Sequence, residues 1–252
     1  MSIFRIIWAL ATRDLKTRYK SRFMSIFSPT IQPFFSLLVF TVVFTKIIQT
    51  HSEGVPYPVF NYCALVFWSF TASTLVISCT CLANNQPLIS RLRIPMMTIP
   101  ASVLLTQAVP LIASLLILTG FLGVFHHLPG INVLYLIPVF FIQCLLTLGL
   151  AFLLACITPY VREIQNILPT ILFGWMFLTP VVYSAEILKQ KMGWIFWINP
   201  MCGIIASARG IVLHNQAPLA VDLVPSILWS IVIFIFGFSQ FKKLSGNIAD
   251  VL

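Results

Sequence analysis

The sequence predicts an all-α integral membrane protein, and three observations carry that prediction. Hydrophobic residues make up 59% of the 252-residue chain and charged residues only 8%, with a mean hydropathy of +0.99. No soluble domain of this length has so little polar material with which to cover its surface. Apolar runs recur at roughly the 20-residue length that crosses a bilayer, and about six crossings with their loops use up the chain. The 15 Lys and Arg against 6 Asp and Glu give a net charge of +9. These charges flank the apolar runs, which orients a chain in a membrane and gives no reason to expect nucleic acid as a partner. The expected architecture is a single transmembrane domain, 1–252. It has an amphipathic N-terminal interfacial helix, six transmembrane helices and short re-entrant helices between spans 5 and 6.

Residues 2–24 form the first element. At 100° per residue, Phe4, Ile7, Trp8, Ala11, Leu15 and Tyr19 share one face, and Arg5, Arg13, Lys16 and Lys20 the opposite one. That pattern suits a helix lying in the membrane interface with its basic side in water. Arg18 and Arg22 break it, and Asp14, one turn before Arg18, is a plausible ion-pair partner for it. A purely topogenic basic segment is the simpler alternative. The first 24 residues lack the layout of a cleavable signal peptide, so the first span is expected to act as its own insertion signal.

Span 1 is expected at about 30–48, after Pro29 and Pro33, with Lys46 snorkelling from its far end. The polar, Pro-rich stretch 51–58 is an external turn. Span 2 follows at about 59–83. Tyr57, Tyr62, Phe67, Trp68 and Phe70 enrich its outer end with aromatics, as an interfacial belt or as a pore mouth that binds sugars. Residues 94–161 contain no Asp, Glu, Lys or Arg and divide at the turn 126–132, giving span 3 at about 101–125 and span 4 at about 133–157. His126 and His127 are adjacent, so they point apart on a helix, and no metal site is expected. Span 5, about 166–183, contains Pro169, Gly174 and Pro180, which favour a kinked or broken helix. Residues 184–222 are apolar in the middle but too short to span, and they carry the helix-breaking pair Asn199-Pro200. Two short helices dipping in from the outside are expected there. Span 6 covers about 223–241, and the tail opens with Lys242-Lys243.

Between spans 2 and 3 lies 84–100 (NNQPLISRLRIPMMTIP), which places Arg91 and Arg93 alone between long apolar runs. Pro87 and Pro95 bracket a segment of one or two helical turns with Leu88, Leu92 and Pro95 on one side. A short, partly apolar helix standing off the membrane suits the groove of a soluble partner. An ordinary positive-inside loop accounts for the arginines but not for the apolar content. With both termini inside, the inner segments hold eleven Lys and Arg, and the outer ones hold Lys46, Lys189, Lys191 and Arg209.

The chemistry is bounded by what is missing. The predicted span cores hold no Asp, Glu, Lys or Arg, which argues against an ion-coupled carrier. There is no nucleophile–base set, no paired carboxylates and no Gly-rich phosphate loop, so the chain is not expected to be an enzyme or to hydrolyse ATP itself. The six cysteines all lie in or beside apolar runs without metal spacing and read as packing residues.

Several motifs occur in order. They are Arg13-Asp14-Leu15-Lys16-Thr17-Arg18-Tyr19-Lys20 followed by Gln32-Pro33, then YVREIQNILP at 160–169, Thr179-Pro180-Val181-Val182-Tyr183, Asn199-Pro200, and Arg209. Together they resemble the membrane subunit, or permease, of bacterial ABC exporters for polysaccharides, the family serving O-antigen, capsule and teichoic-acid export. The chain departs from that pattern at Met24-Ser25 and Ser28, where the family often has Leu-Gly and Trp. The resemblance implies a homodimer of six-span subunits in the cytoplasmic membrane, N and C termini inside, with two cytoplasmic ATPase subunits that bind ATP and Mg. No cofactor is expected in this chain. On that reading Leu88, Ile89, Arg91, Leu92, Arg93, Ile94 and Pro95 couple to the ATPase. The interfacial helix uses Arg13, Lys16, Arg18, Tyr19 and Lys20. Tyr57, Tyr62, Phe67, Trp68, Trp175, Phe177 and Tyr183 are candidates to line the glycan channel, while Pro180 and Asn199-Pro200 shape its outer gate. An ABC exporter for a drug or lipid, or a membrane protein outside that class, is the alternative.

Overall fold

The computed structural model describes residues 3–19, 39, 42, 54–92, 94–125 and 129–251. Among these, every regular element is helical. In order they are α1 Ile3–Tyr19, α2 Tyr57–Asn84, α3 Gln86–Leu92, α4 Thr98–Val124, a 3-10 turn Ile131–Tyr135 leading into α5 Leu136–Ile157, α6 Ile164–Phe177, α7 Ala185–Ile198, α8 Pro200–His214 and α9 Ala220–Val251. Predicted span 1, about 30–48, lies outside the described residues but for Val39 and Val42.

Among the described residues, four helices are long and apolar enough to cross a membrane: Tyr57–Asn84, Thr98–Val124, Ile131–Ile157 and Ala220–Gly246. They correspond to predicted spans 2, 3, 4 and 6. The predicted fifth span differs. Its helix passes through Pro169 near its start and stops at Phe177, 14 residues in all. At 1.5 Å per residue that is about 21 Å, short of the roughly 30 Å of a hydrocarbon core. The chain breaks at Thr179-Pro180 because the residue before a proline is pushed out of helical geometry and proline itself offers no N–H. The last helix, in contrast, continues through Lys242-Lys243 to Val251, since charges end a span without ending a helix.

α2 is the central rod. Val59, Phe60, Tyr62, Cys63, Leu65, Val66 and Phe67 are all at most 2% exposed, so the Tyr57 half of the helix is enclosed on every side, while Val76 in the other half is 39% exposed. It packs on α4, α5, α6 and α8. α5 and α9 lie closest together, through glycine. A Cβ on Gly237 would stand 2.1 Å from the carbonyl oxygen of Gly149, and one on Gly149 would stand 2.6 Å from Cα of Phe234. Small residues at such crossings let helix backbones touch, which supplies the dispersion contact that holds helices together where no water is present to drive them.

α7 and α8 form a hairpin. Lys189 pairs with Asp222 at the start of α9, and deeper along α9 the indole of Trp229 donates to the Trp197 carbonyl. Returning, α8 places its Pro200 carbonyl on Ser226 and its Gly203 backbone against Asp222. At the tip, Met201 reaches Thr71, half-way along α2, whereas both ends of the hairpin sit near the Tyr57 end of the bundle. The chain therefore enters and leaves by the same end.

Candidate functional site

At the α1 end of the bundle the organising residue is Asn85, 8% exposed. Its carbonyl accepts the first α3 amides, Leu88 at 2.9 Å and Ile89 at 3.1 Å. Its side-chain NH₂ donates to Cys81 at 2.8 Å, and its Oδ1 accepts Arg13 Nη2 from α1 at 2.5 Å. One asparagine thus ties α1, α2 and α3 together. Arg13 also pairs with Asp14 at 2.6 Å, and the expected Asp14–Arg18 pair lies outside the described side chains. Leu10, Leu82, Ile89, Ile99, Phe152 and Phe241 form a shared apolar cluster beneath them, with Leu88 and Ile94 partly buried against it.

This placement differs from the sequence expectation in two ways. On α3, Ile89 is buried in its own subunit and Leu88 partly so, while Gln86, Pro87 and Pro95 are exposed. On α1 the inward face is built on Leu10 and Ala11, while Phe4 and Trp8 remain 69% and 62% exposed. The periodicity grouped Phe4 and Trp8 with Ala11, but the protein covers only part of that apolar arc. Lys16 is exposed. Only the backbone is described for Arg18, Tyr19, Arg91 and Leu92, and Lys20 and Arg93 lie outside the described residues.

The opposite end contains the break after α6. An irregular turn among helices leaves backbone carbonyls without helical partners, and at membrane depth each must find one inside the protein. Here seven consecutive carbonyls do so. Phe177 O accepts the Tyr183 hydroxyl, Leu178 O accepts Asn199 Nδ2 at 3.0 Å, and Thr179 O accepts the Val181 amide. Pro180 O and Tyr183 O accept Arg209 Nη1 at 2.7 and 2.8 Å, Val181 O accepts Arg209 Nη2, and Val182 O accepts the Tyr57 hydroxyl at 2.9 Å. Arg209 Nε donates in addition to Phe60 O at 3.1 Å, with the guanidinium 3.7 Å over the Phe60 ring.

Asn199 is the second hub. Its Oδ1 caps α8 through the Met201 amide and accepts the Trp175 indole at 3.0 Å, while its Nδ2 also reaches Thr179 Oγ1 at 2.9 Å. Pro200 follows at the first turn, where its missing N–H goes unneeded. Trp175 meets Trp68 edge-on, ring centres 5.3 Å apart.

The predicted aromatics therefore fall into two groups. Tyr57, Tyr62, Phe67 and Trp68, with Pro180, are packed within the subunit. Trp175 and Tyr183 are half-buried, and Phe177 is 40% exposed on α6. Arg209 was read from sequence as an external charge and matched only as a motif residue. It is 4% exposed, and the signal for its role was a lone arginine inside the apolar run 203–213.

A family model described as ABC-2 type transporter matches residues 5–213, taking in both ends of this arrangement. The chain belongs to the ABC-2 type transporter family. Membership makes it the membrane subunit of a transporter, multi-pass and helical. It is 24% identical over 248 residues to a protein named O-antigen export system permease protein RfbA from Myxococcus xanthus, covering 97% of this chain and 94% of that one. Two proteins of the same name from Klebsiella pneumoniae are 23% and 22% identical over 253 and 254 residues, each covering 99% of this chain and 96% of the relative. The ABC-2 match ends at Leu213, past Arg209 and one residue before the end of α8, so the turn, Asn199 and Asn85 all fall inside it.

Proposed function

We propose that this ABC-2 subunit is the channel-forming permease of an ATP-driven exporter that moves a lipid-linked polysaccharide, of the O-antigen kind, outward across the bacterial cytoplasmic membrane. The observation that carries the reading is similarity along essentially the full length to three permeases named for O-antigen export. Two copies of this chain enclose the channel, and two ABC ATPase subunits bind the inner face and supply ATP and Mg. Both termini are cytoplasmic, α1 lies in the inner interface with Phe4 and Trp8 in lipid, and the α7–α8 hairpin is re-entrant from the outside. Span 1, outside the described residues but for Val39 and Val42, completes a six-span subunit with the short α6.

The mechanism follows from α2. It runs unbroken for 28 residues, about 40 Å at 1.5 Å per residue, from Asn85 at the docking end to Tyr57 at the outer turn. Closure of the ATPases on ATP presses the segment 86–95 and α1. Because Asn85 bonds α1 and α3 to the end of α2, the push is delivered to that rod, whose other end holds the outer turn through Tyr57. Phe177, Trp175 and Tyr183 offer ring faces to sugar C–H groups, a contact that grips without the many hydrogen bonds that would stall sliding. Tyr57, Tyr62, Phe67 and Trp68 frame the gate from behind.

The test is reconstitution of the permease with its ATPase in liposomes carrying the lipid-linked glycan. ATP-dependent appearance of glycan on the far face, read by accessibility to an added glycosidase, is the expected result. Movement of the lipid without its glycan would replace this reading with that of a lipid exporter.

A further inference from the structure

The guanidinium of Arg209 does something a helix cap does not. Its bonds to Pro180, Val181 and Tyr183 all go to one four-residue turn, and its bond to Phe60 goes to α2. The side chain starts from α8, so one planar group joins three separate elements. Tyr57 adds a bond from α2 to Val182, the carbonyl that Arg209 leaves out. A buried guanidinium is retained only where its donors are met, and here three of the four acceptors are backbone carbonyls of an irregular turn. Because the carbonyls belong to one turn and the donors to other helices, displacement of the turn breaks the set together. The arrangement has a seated and a released state with little between them.

We infer that Arg209 is the positioning residue of the outer gate, seating the turn 179–184 on α2 in the closed state and letting α6 and the α7–α8 hairpin move when it is released. This rests on the channel reading above. The Thr179-Pro180 break makes the turn a hinge between α6 and α7, and Asn199 ties the hairpin tip to that same turn through Leu178 and Thr179. α6 packs on α2 along its length, with Trp175 against Trp68 and Leu168, Leu172 and Met176 buried, and its far end is fixed through the turn, which Arg209, Tyr57 and Asn199 hold.

The experiment reads leak, which a purely structural residue at normal assembly would not change. The permease–ATPase complex is reconstituted without nucleotide in vesicles holding a small anionic dye. Wild type is compared with Arg209→Gln, Arg209→Lys and Tyr57→Phe, all at equal amounts of assembled complex. Release should rise about tenfold in Arg209→Gln, the shift a two-state gate shows when a strong buried hydrogen bond is lost. Tyr57→Phe should give a smaller rise, and Arg209→Lys, which keeps the charge but not the fork, should fall between wild type and Arg209→Gln. Wild-type leak in assembled Arg209→Gln and Tyr57→Phe overturns the inference. If Arg209→Gln does not assemble, Tyr57→Phe decides. Failure of both to assemble also overturns it, since the network would then serve folding and not gating. ATP-driven glycan movement by wild type in the same vesicles tests the channel reading separately. Its absence, with the leak pattern present, would leave the gate and remove the glycan.

Discussion

The Trp175 indole donates to Oδ1 of Asn199 at 3.0 Å, joining the end of α6 to the tip of the α7–α8 hairpin. Asn199 is 7% exposed and spends all of its polar atoms inside the protein. Asn199→Ala leaves the indole and Leu178 carbonyl unmet and removes the α8 cap. The expected loss is about 1–3 kcal/mol, seen as a lower apparent Tm of the purified permease in detergent. An unchanged Tm would show that the hairpin tip is held by packing alone.

The α5–α9 crossing makes a steric prediction. Gly237→Ala puts a methyl 2.1 Å from the Gly149 carbonyl oxygen and forces the helices apart, for a loss of about 1–3 kcal/mol. Gly246→Ala on the same helix meets nothing within 4 Å and should be neutral or stabilising by up to about 1 kcal/mol. Equal melting temperatures for the two variants would contradict the close approach.

The two groups of aromatics should separate in mutants. Trp68→Ala removes a ring that is 5% exposed and stacked edge-on against Trp175, so about 3–5 kcal/mol of stability should go with it. Phe177→Ala, at a 40% exposed site, should leave stability nearly untouched and slow ATP-driven glycan movement. Stable Trp68→Ala protein with slowed transport would return that residue to the channel wall.

Asn85→Ala should uncouple without preventing insertion. It removes the acceptor for Arg13 and the donor to Cys81, freeing α1 and α3 from the end of α2. ATP hydrolysed per glycan moved should rise severalfold while the amount of protein in the membrane stays level. Tight coupling in the variant would mean that the push reaches α2 by another route.

Much of the bundle was legible because hydropathy and proline punctuate it. Predicted spans 2, 3, 4 and 6 appear as helices, and the short helix between Pro87 and Pro95 forms at Gln86–Leu92. The helix-breaking pair Asn199-Pro200 falls between the two short helices α7 and α8, with Asn199 as the cap of the second. What was not legible is which face of an apolar helix looks inward. The Tyr57 half of α2 is enclosed all round, so no periodicity there separates lining from packing residues, and Leu88 and Ile89 carry no mark that they pack in their own subunit. The burial of Arg209 was missed for a related reason. Charge counting places a lone arginine in a loop-like segment on the outer side without saying that it is buried, and the four carbonyls that accept it come from residues 60, 180, 181 and 183, far off in sequence.

The central claim, that this chain is the membrane half of an ATP-driven transporter docked through the segment 86–95, is tested most directly by co-purification. Tagged permease is isolated in mild detergent and the eluate assayed for ATP hydrolysis, comparing wild type with the Arg91→Glu, Arg93→Glu double variant at equal membrane levels. An ATPase should accompany the wild type and be lost from the variant, because reversing both charges repels the surface that wild type attracts. An ATPase retained by the variant would move the docking site elsewhere, and no ATPase with either would contradict the account.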